Sequence, residues 1–171
     1  MSDKAFCSSS ATILPDSIKT KLKGSLDFNI VTQLASASGD GWIYAEPTIT
    51  YSNADVLGTT EDYLGPVTGA GAVATGDKIK WMVIKHTGTS NGSSVTGVGV
   101  IMDLNAATCS STHKGILLGP GEMIVLKCPN TTVADFHAIT VNMLNGIPTS
   151  TATVAGEDVR LIVAGILNNV A

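Results

Sequence analysis

The sequence predicts an all-β fold, a jelly-roll-like β-sandwich of about eight strands with an extended N-terminal arm. Three observations carry that expectation. Lys78–His86 alternates two side-chain sets, Ile79/Trp81/Val83 and Lys80/Met82/Ile84, over the length of a strand. Two short apolar runs, 115–118 and 122–128, flank Gly119-Pro-Gly-Glu122, where Pro120 fixes one φ and Gly121 frees the next. Clusters of Gly, Pro, Asn and Ser separate the remaining apolar runs, and no long 3.6-residue periodicity interrupts them.

The elements follow in order. Residues 1–24 read as an arm: Ser8–Ser10 and Pro15 discourage regular structure, while Phe6, Ile13 and Leu14 give it apolar teeth. These three are the candidate interaction residues, because an arm with spaced apolar side chains docks on its own domain or on a neighbour. Residues 25–171 read as a single β-sandwich domain. Leu26, Phe28 and Ile30 alternate with Asp27 and Asn29, a half-buried strand over 26–34. Residues 42–51 are β-branched and aromatic, with Pro47 marking an edge or a bulge. Residues 53–76 form a long excursion with one or two short strands. After Lys78–His86, residues 87–94 make a loop. A strand over 95–104 follows, with Gly97 and Gly99 leaving a flat strip for a close neighbour. Residues 115–118 and 122–128 form a hairpin through Gly-Pro-Gly. Residues 136–144 make another strand, 145–148 a loop. The closing strand, 159–167, is apolar on both faces and therefore central or sandwiched between layers.

Composition narrows the function. Charged residues are 14% of the 171, apolar residues 44%, and the net charge is −4 with Arg160 the sole arginine. An average globular chain carries about 25% charged residues, so a surface this short of charge is expected to be covered by oligomer contacts, a large assembly or glycans, the alternative being a monomer with a Ser/Thr-rich surface. Nucleic-acid binding is excluded by the lack of clustered basic residues, since Lys19, Lys21 and Lys23 stand without aromatic partners. The N-terminus lacks the apolar core of a signal peptide. No apolar run approaches the ~20 residues of a membrane helix, so no membrane partner is expected. Cys7, Cys109 and Cys128 are too few and too irregularly spaced for a disulfide framework or a zinc site. Free thiols are the expectation, with a Cys109–Cys128 bridge as the alternative.

Motif matches do not build an active site. Gly88-Thr-Ser-Asn-Gly92 has the nucleophile-elbow spelling, but that elbow needs a helix after Ser90 and a strand-like run follows. Gly69–Ala74 resembles a dinucleotide-binding glycine string without the helix that would hold the phosphates. His86, His113 and His137 lack the His-x-His spacing of metal-binding jelly rolls. Asp40, Asp62, Asp77 and Asp103 stand at or beside turns, where acids accept local backbone hydrogen bonds. Asn91-Gly-Ser93 and Asn130-Thr-Thr132 are formal sequons without a secretory context. No catalytic residue, cofactor or metal is expected.

The order Lys78–Gly88, a glycine-rich loop, Val98–Asp103, Ile116–Leu126 and Phe136–Val141 resembles small all-β virion structural proteins of tailed bacteriophages, most of all capsid decoration (cement) proteins. The resemblance covers roughly residues 78–167. It implies a non-enzymatic protein of the capsid surface, made in the host cytoplasm, that binds the major capsid protein as a homo-oligomer, a trimer, and stabilises the shell. The alternative among virion proteins is a phage tail or head–neck component; from another class, a carbohydrate- or host-binding module would expose Trp42, Trp81 or Tyr63.

Overall fold

A computed structural model of the chain describes residues 4–7, 30–33, 40–52, 54–58, 62–63, 72–90, 93–94, 97–104, 115–144, 147–152 and 157–168. The chain divides into two compact units, Met1–Ser36 and Ala37–Ala171. In the first unit, β1 (Lys4–Cys7) pairs antiparallel with β2 (Ile30–Gln33), Lys4 opposite Gln33 and Cys7 opposite Ile30. The strand read at 26–34 is thus present at 30–33, and its partner is the segment that carries Phe6. Ile13 and Leu14 lie outside the described residues, as do Lys19, Lys21 and Lys23.

The second unit is a β-sandwich. Its strands are β3 (Asp40–Ala45), β4 (Thr48–Ile49), β5 (Ala54–Asp55), β6 (Lys78–His86), β7 (Thr89–Ser90), β8 (Ser93–Ser94), β9 (Val98–Asp103), β10 (Ile116–Leu118), β11 (Met123–Leu126), β12 (His137–Leu144), β13 (Ile147–Ala152) and β14 (Val159–Asn168). One sheet runs β11-β6-β14-β3 with β4 also on β14, and the other runs β10-β9-β12-β13 with β5 on β12. Every pairing is antiparallel. The one helical element described is a 3-10 turn, Val133–Asp135. The all-β expectation holds, with eight strands on the two sheet paths.

Burial follows the pleat. In the first sheet, Ile43 and Ala45 of β3, Leu161, Val163 and Leu167 of β14, and Ile79, Met82 and Ile84 of β6 are all buried. Their neighbours Tyr44, Ile162, Ala164 and Val83 are half-buried or exposed. The second sheet buries both faces: Val100, Met102, Ala138 and Thr140 on one, and Ile101, Ile139 and Val141 with Leu117 on the other. β14 sits between β3 and β6, as a strand apolar on both faces should. Pro47 interrupts the hydrogen bonding between β3 and β4 without shifting register, since Val163 faces Ala45 and Arg160 faces Thr48. An edge strand tolerates the missing donor, so Pro47 marks an edge and no bulge.

Three expectations change. First, residues 115–118 and 122–128 do not form a hairpin. β10 pairs with β9 in one sheet, and β11 pairs with β6 in the other, so the Gly-Pro-Gly turn carries the chain across the sandwich. The cause is turn chemistry. Pro120 at the second position and Gly121 at φ 80° make a type II turn, closed by Glu122 N–H on Gly119 O at 3.0 Å. Type II twist splays two flanking strands rather than pairing them. The Glu122 carboxylate accepts from Gly119 N–H at 2.7 Å, and β6 takes the remaining bonds: Gly121 N–H to His86 O at 3.1 Å and His86 N–H to Glu122 O at 2.9 Å. Second, β13 follows the loop at 145–146, Leu144 facing Ile147 across a two-residue connection. Its polar Thr and Ser content and its Pro148 hid it from a hydrophobic reading. Third, residues 87–94 contain a two-residue hairpin, Ser90 facing Ser93 across Asn91-Gly92, the pair that type I′ turns favour.

Gly121 has open space around its missing side chain, so a substitution there meets only a backbone penalty. Gly121→Ala is expected to lower stability by about 1–2 kcal/mol, the cost of a left-handed L-residue. Urea denaturation should show that loss with an unchanged m-value. No change would mean that the turn has another form.

Candidate interaction surface

The outward face of the first sheet keeps several apolar side chains partly exposed. Register defines its rows, because residues directly opposite one another point the same way. Met123, Lys85 and Ile162 form one row; Val125, Val83, Ala164 and Tyr44 the next; Trp81, Ile166 and Trp42 the third. Val83, Val125, Ile162, Ala164 and Trp42 are half-buried, Tyr44 is 45% exposed and Met123 58% exposed. Sheets that face water usually alternate apolar-in and polar-out. Here the middle row carries no charge at all.

Charges frame the face. Arg160 Nη2 pairs with Glu46 Oε2 at 2.7 Å, and Tyr44 OH donates to Glu46 Oε1 at 2.7 Å. That hydrogen bond, with partial burial and the Glu46 charge, raises the Tyr44 phenol above its ordinary value. Both aromatic and ion pair lie on the β3 edge, so the framing charges are tied to each other.

At the far end of the face stands a polar group that the sequence did not reveal. Asp40 is fully buried. Its Oδ2 accepts from Lys80 Nζ at 2.6 Å and its Oδ1 from Asn168 Nδ2 at 2.7 Å. Asp40 thus does more than serve a local turn, since these partners lie 40 and 128 residues away. Asp77 behaves as expected in part, its Oδ2 accepting from Ala74 N–H at 2.8 Å. It also takes Tyr63 OH at 2.5 Å. Burial, then that hydrogen bond and the charge of Asp77, push the Tyr63 phenol far up.

His86 ties the two sheets together where the chain crosses between them. Its Nδ1 accepts from Gly88 N–H at 2.9 Å, which leaves Nε2 to donate to Val98 O at 3.2 Å. Each ring nitrogen is committed, so the ring is the neutral Nε2–H tautomer. Burial lowers its pKa, opposed by the Val98 carbonyl and the nearby Glu122 carboxylate.

The other sequence candidates are dispersed. His137 contacts Asp55 Oδ1 at 2.9 Å across the β12–β5 ladder, and His113 lies outside the described residues. No group of three His, Cys, Asp or Glu that could hold a metal ion occurs among the described residues. Ser90 sits in a strand that is followed by β8, so the helix that an elbow requires is replaced by a strand. Cys128 is a free, half-buried thiol, which removes the Cys109–Cys128 bridge; burial pushes its pKa up. Of the aromatics proposed as a sugar platform, Trp81 is 5% exposed and meets Trp42 edge-on at 6.4 Å and 84°. With so little of it exposed, Trp81 offers no platform for stacking. No protein-family model, curated protein or solved structure matches this chain.

Proposed function

We propose that the chain is a structural virion protein that decorates the outside of a phage capsid and stabilises the shell. The reading starts from the resemblance over residues 78–167, and one observation supports it most: the uncharged row Val125, Val83, Ala164 and Tyr44 on a half-exposed sheet face. A chain with 14% charged residues that also keeps apolar side chains on an outer sheet face suits life against other subunits. Permanent interfaces are large and comparatively apolar. On this reading the major capsid protein covers that face, and residues 1–24, through Phe6, Ile13 and Leu14, reach a neighbouring copy in a trimer. The role is mechanical and needs no catalytic set.

Co-sedimentation with purified capsid shells, together with mass measurement in solution, tests the reading. The protein should be an oligomer alone and should pellet with shells. Val83→Glu should weaken pelleting tenfold or more, because a buried unpaired carboxylate costs several kcal/mol. Deletion of residues 2–14 should leave a β-rich circular dichroism spectrum and lose the oligomer. A monomer that ignores shells would defeat the proposal.

A further inference from the structure

Lys80, Asp40 and Asn168 form an arrangement that chemistry can use. Lys80 Nζ lies 2.6 Å from Asp40 Oδ2, and Asn168 Nδ2 lies 2.7 Å from Asp40 Oδ1. One fully buried carboxylate thus binds an amine on one oxygen and a carboxamide on the other. Three adjacent strands deliver them. Asn168 faces both Asp40 of β3 and Lys78 of β6 in register. The β6–β14 register shifts between Ile166 and Leu167, so Lys80 is the extra residue of a β-bulge. A bulge re-aims the side chain of its extra residue, and Lys80 reaches across β14 to the carboxylate on the far strand. The next row on this face is Trp81, Ile166 and Trp42. Ile166 is fully buried and Trp81 is 5% exposed.

We propose that Lys80 and Asn168 condense into an intramolecular amide, an isopeptide bond between β6 and β14, with Asp40 as the proton shuttle. Asp40 Oδ2 takes a proton from the Lys80 ammonium and leaves a neutral amine. Asp40 is fully buried, and burying one partner narrows the gap between an ion pair and its proton-transferred form. The Nζ lone pair attacks Cγ of Asn168, while the Asp40 carboxyl group stays beside the Nδ2 that must leave. The new Nζ–Cγ bond forms, the Cγ–Nδ2 bond breaks, the carboxyl returns a proton to the departing nitrogen, and the proton that Nζ sheds on becoming an amide converts the departed ammonia to ammonium. The balance is ammonium plus carboxamide giving a secondary amide plus one ammonium ion. Nothing is oxidised or reduced, and no co-reactant is needed. Proximity replaces an external catalyst, since fixed partners have high effective molarity. The Lys80 side chain is 33% exposed, which leaves ammonia a way out. The bond would cross-link the sheet irrespective of what the protein decorates, so it stands independently of the virion reading.

Intact-mass spectrometry of the folded, purified wild-type chain, held at neutral pH, decides the matter. The expected mass is short of the composition by one ammonia, and a tryptic digest contains a branched peptide joining Lys80 to Asn168. Lys80→Arg and Asn168→Ala, each confirmed as β-rich by circular dichroism, should regain the full mass. Asp40→Ala should regain it too. A wild-type mass equal to the composition overturns the proposal. So does an ammonia deficit that maps to Asn91-Gly92 or Asn145-Gly146, where a succinimide would produce the same loss. A cross-link that persists in folded Asp40→Ala overturns the role of the carboxylate.

Discussion

Gly165→Val is expected to cost at least about 3 kcal/mol, a large share of a domain's stability. Gly165 sits in the middle of β14, between Ile43 of β3 and Met82 of β6. A Cβ there would stand 2.5 Å from Trp81 O and 2.8 Å from Met82 Cβ. Neither neighbour can retreat, because Trp81 and Met82 are themselves laddered to Ile166 and Gly165. Overpacking a tight core typically costs 1–3 kcal/mol, and Val adds two further methyl groups to the clash. A domain has only about 5–15 kcal/mol to lose. The neighbour Ala164 points to the half-exposed outer face, so Ala164→Val serves as the control and should stay within about 0.5 kcal/mol of wild type. Urea midpoints of the three proteins check the ranking. A Gly165→Val protein as stable as Ala164→Val would show that β14 and β6 are not packed this closely.

The second large effect is a loss of stability in mild acid that traces to His86. The folded ring is neutral, accepting from Gly88 and donating to Val98, and burial sets its pKa below the usual 6.5. Above pH 6.5 folded and unfolded chains both carry a neutral ring, and the contribution is complete. Below that value the unfolded chain takes up a proton that the folded one refuses, so stability falls with falling pH until the folded pKa is passed. The slope can reach at most about 1.4 kcal/mol per pH unit. Glu122 is the charged group identified as facing the ring, and it moderates the effect by favouring the protonated form. His86→Gln keeps an amide that can accept from Gly88 and donate to Val98. Its denaturation midpoint should lack the part of the pH slope that His86 supplies. Identical slopes in the two proteins would mean that the ring is not buried as described.

Much of the fold was legible because local chemistry and global position agree. Lys78–His86 alternates, and it is a strand; residues 159–167 are apolar on both faces, and β14 is central. Gly99 was read as leaving room for a close neighbour, and Met143 fills that room. The reading failed where one local signal serves two global ends. Gly119-Pro-Gly-Glu122 announces a turn, but direction depends on twist, and a Pro-fixed type II turn does not close a hairpin. β13 lacks apolar alternation because its stability comes from its ladder on β12. The Asp40–Lys80–Asn168 group was invisible for a different reason. Its members are far apart in sequence, and only three-strand register brings them together. The weak charge of the outer face was legible as composition, whereas its location required the pleat to be assigned.

The position of β14 also governs when the molecule can be finished. β14 is made after both of its neighbours, β3 and β6, and it lies between them. A growing chain therefore carries two halves of a sheet that cannot yet join. Until Val159–Asn168 emerges during synthesis, β3 and β6 each present an unpaired edge beside apolar side chains, which is the state in which strands pair with strangers. Pairing over such sequence distances is also slow. Newly made chains should thus depend on chaperones or on dilution more than the finished fold's stability would suggest. Fragments that stop before residue 159 should aggregate rather than fold. The last strand of the sheet acts as the keystone of an arch: every other piece is already in place, and none of them holds without it.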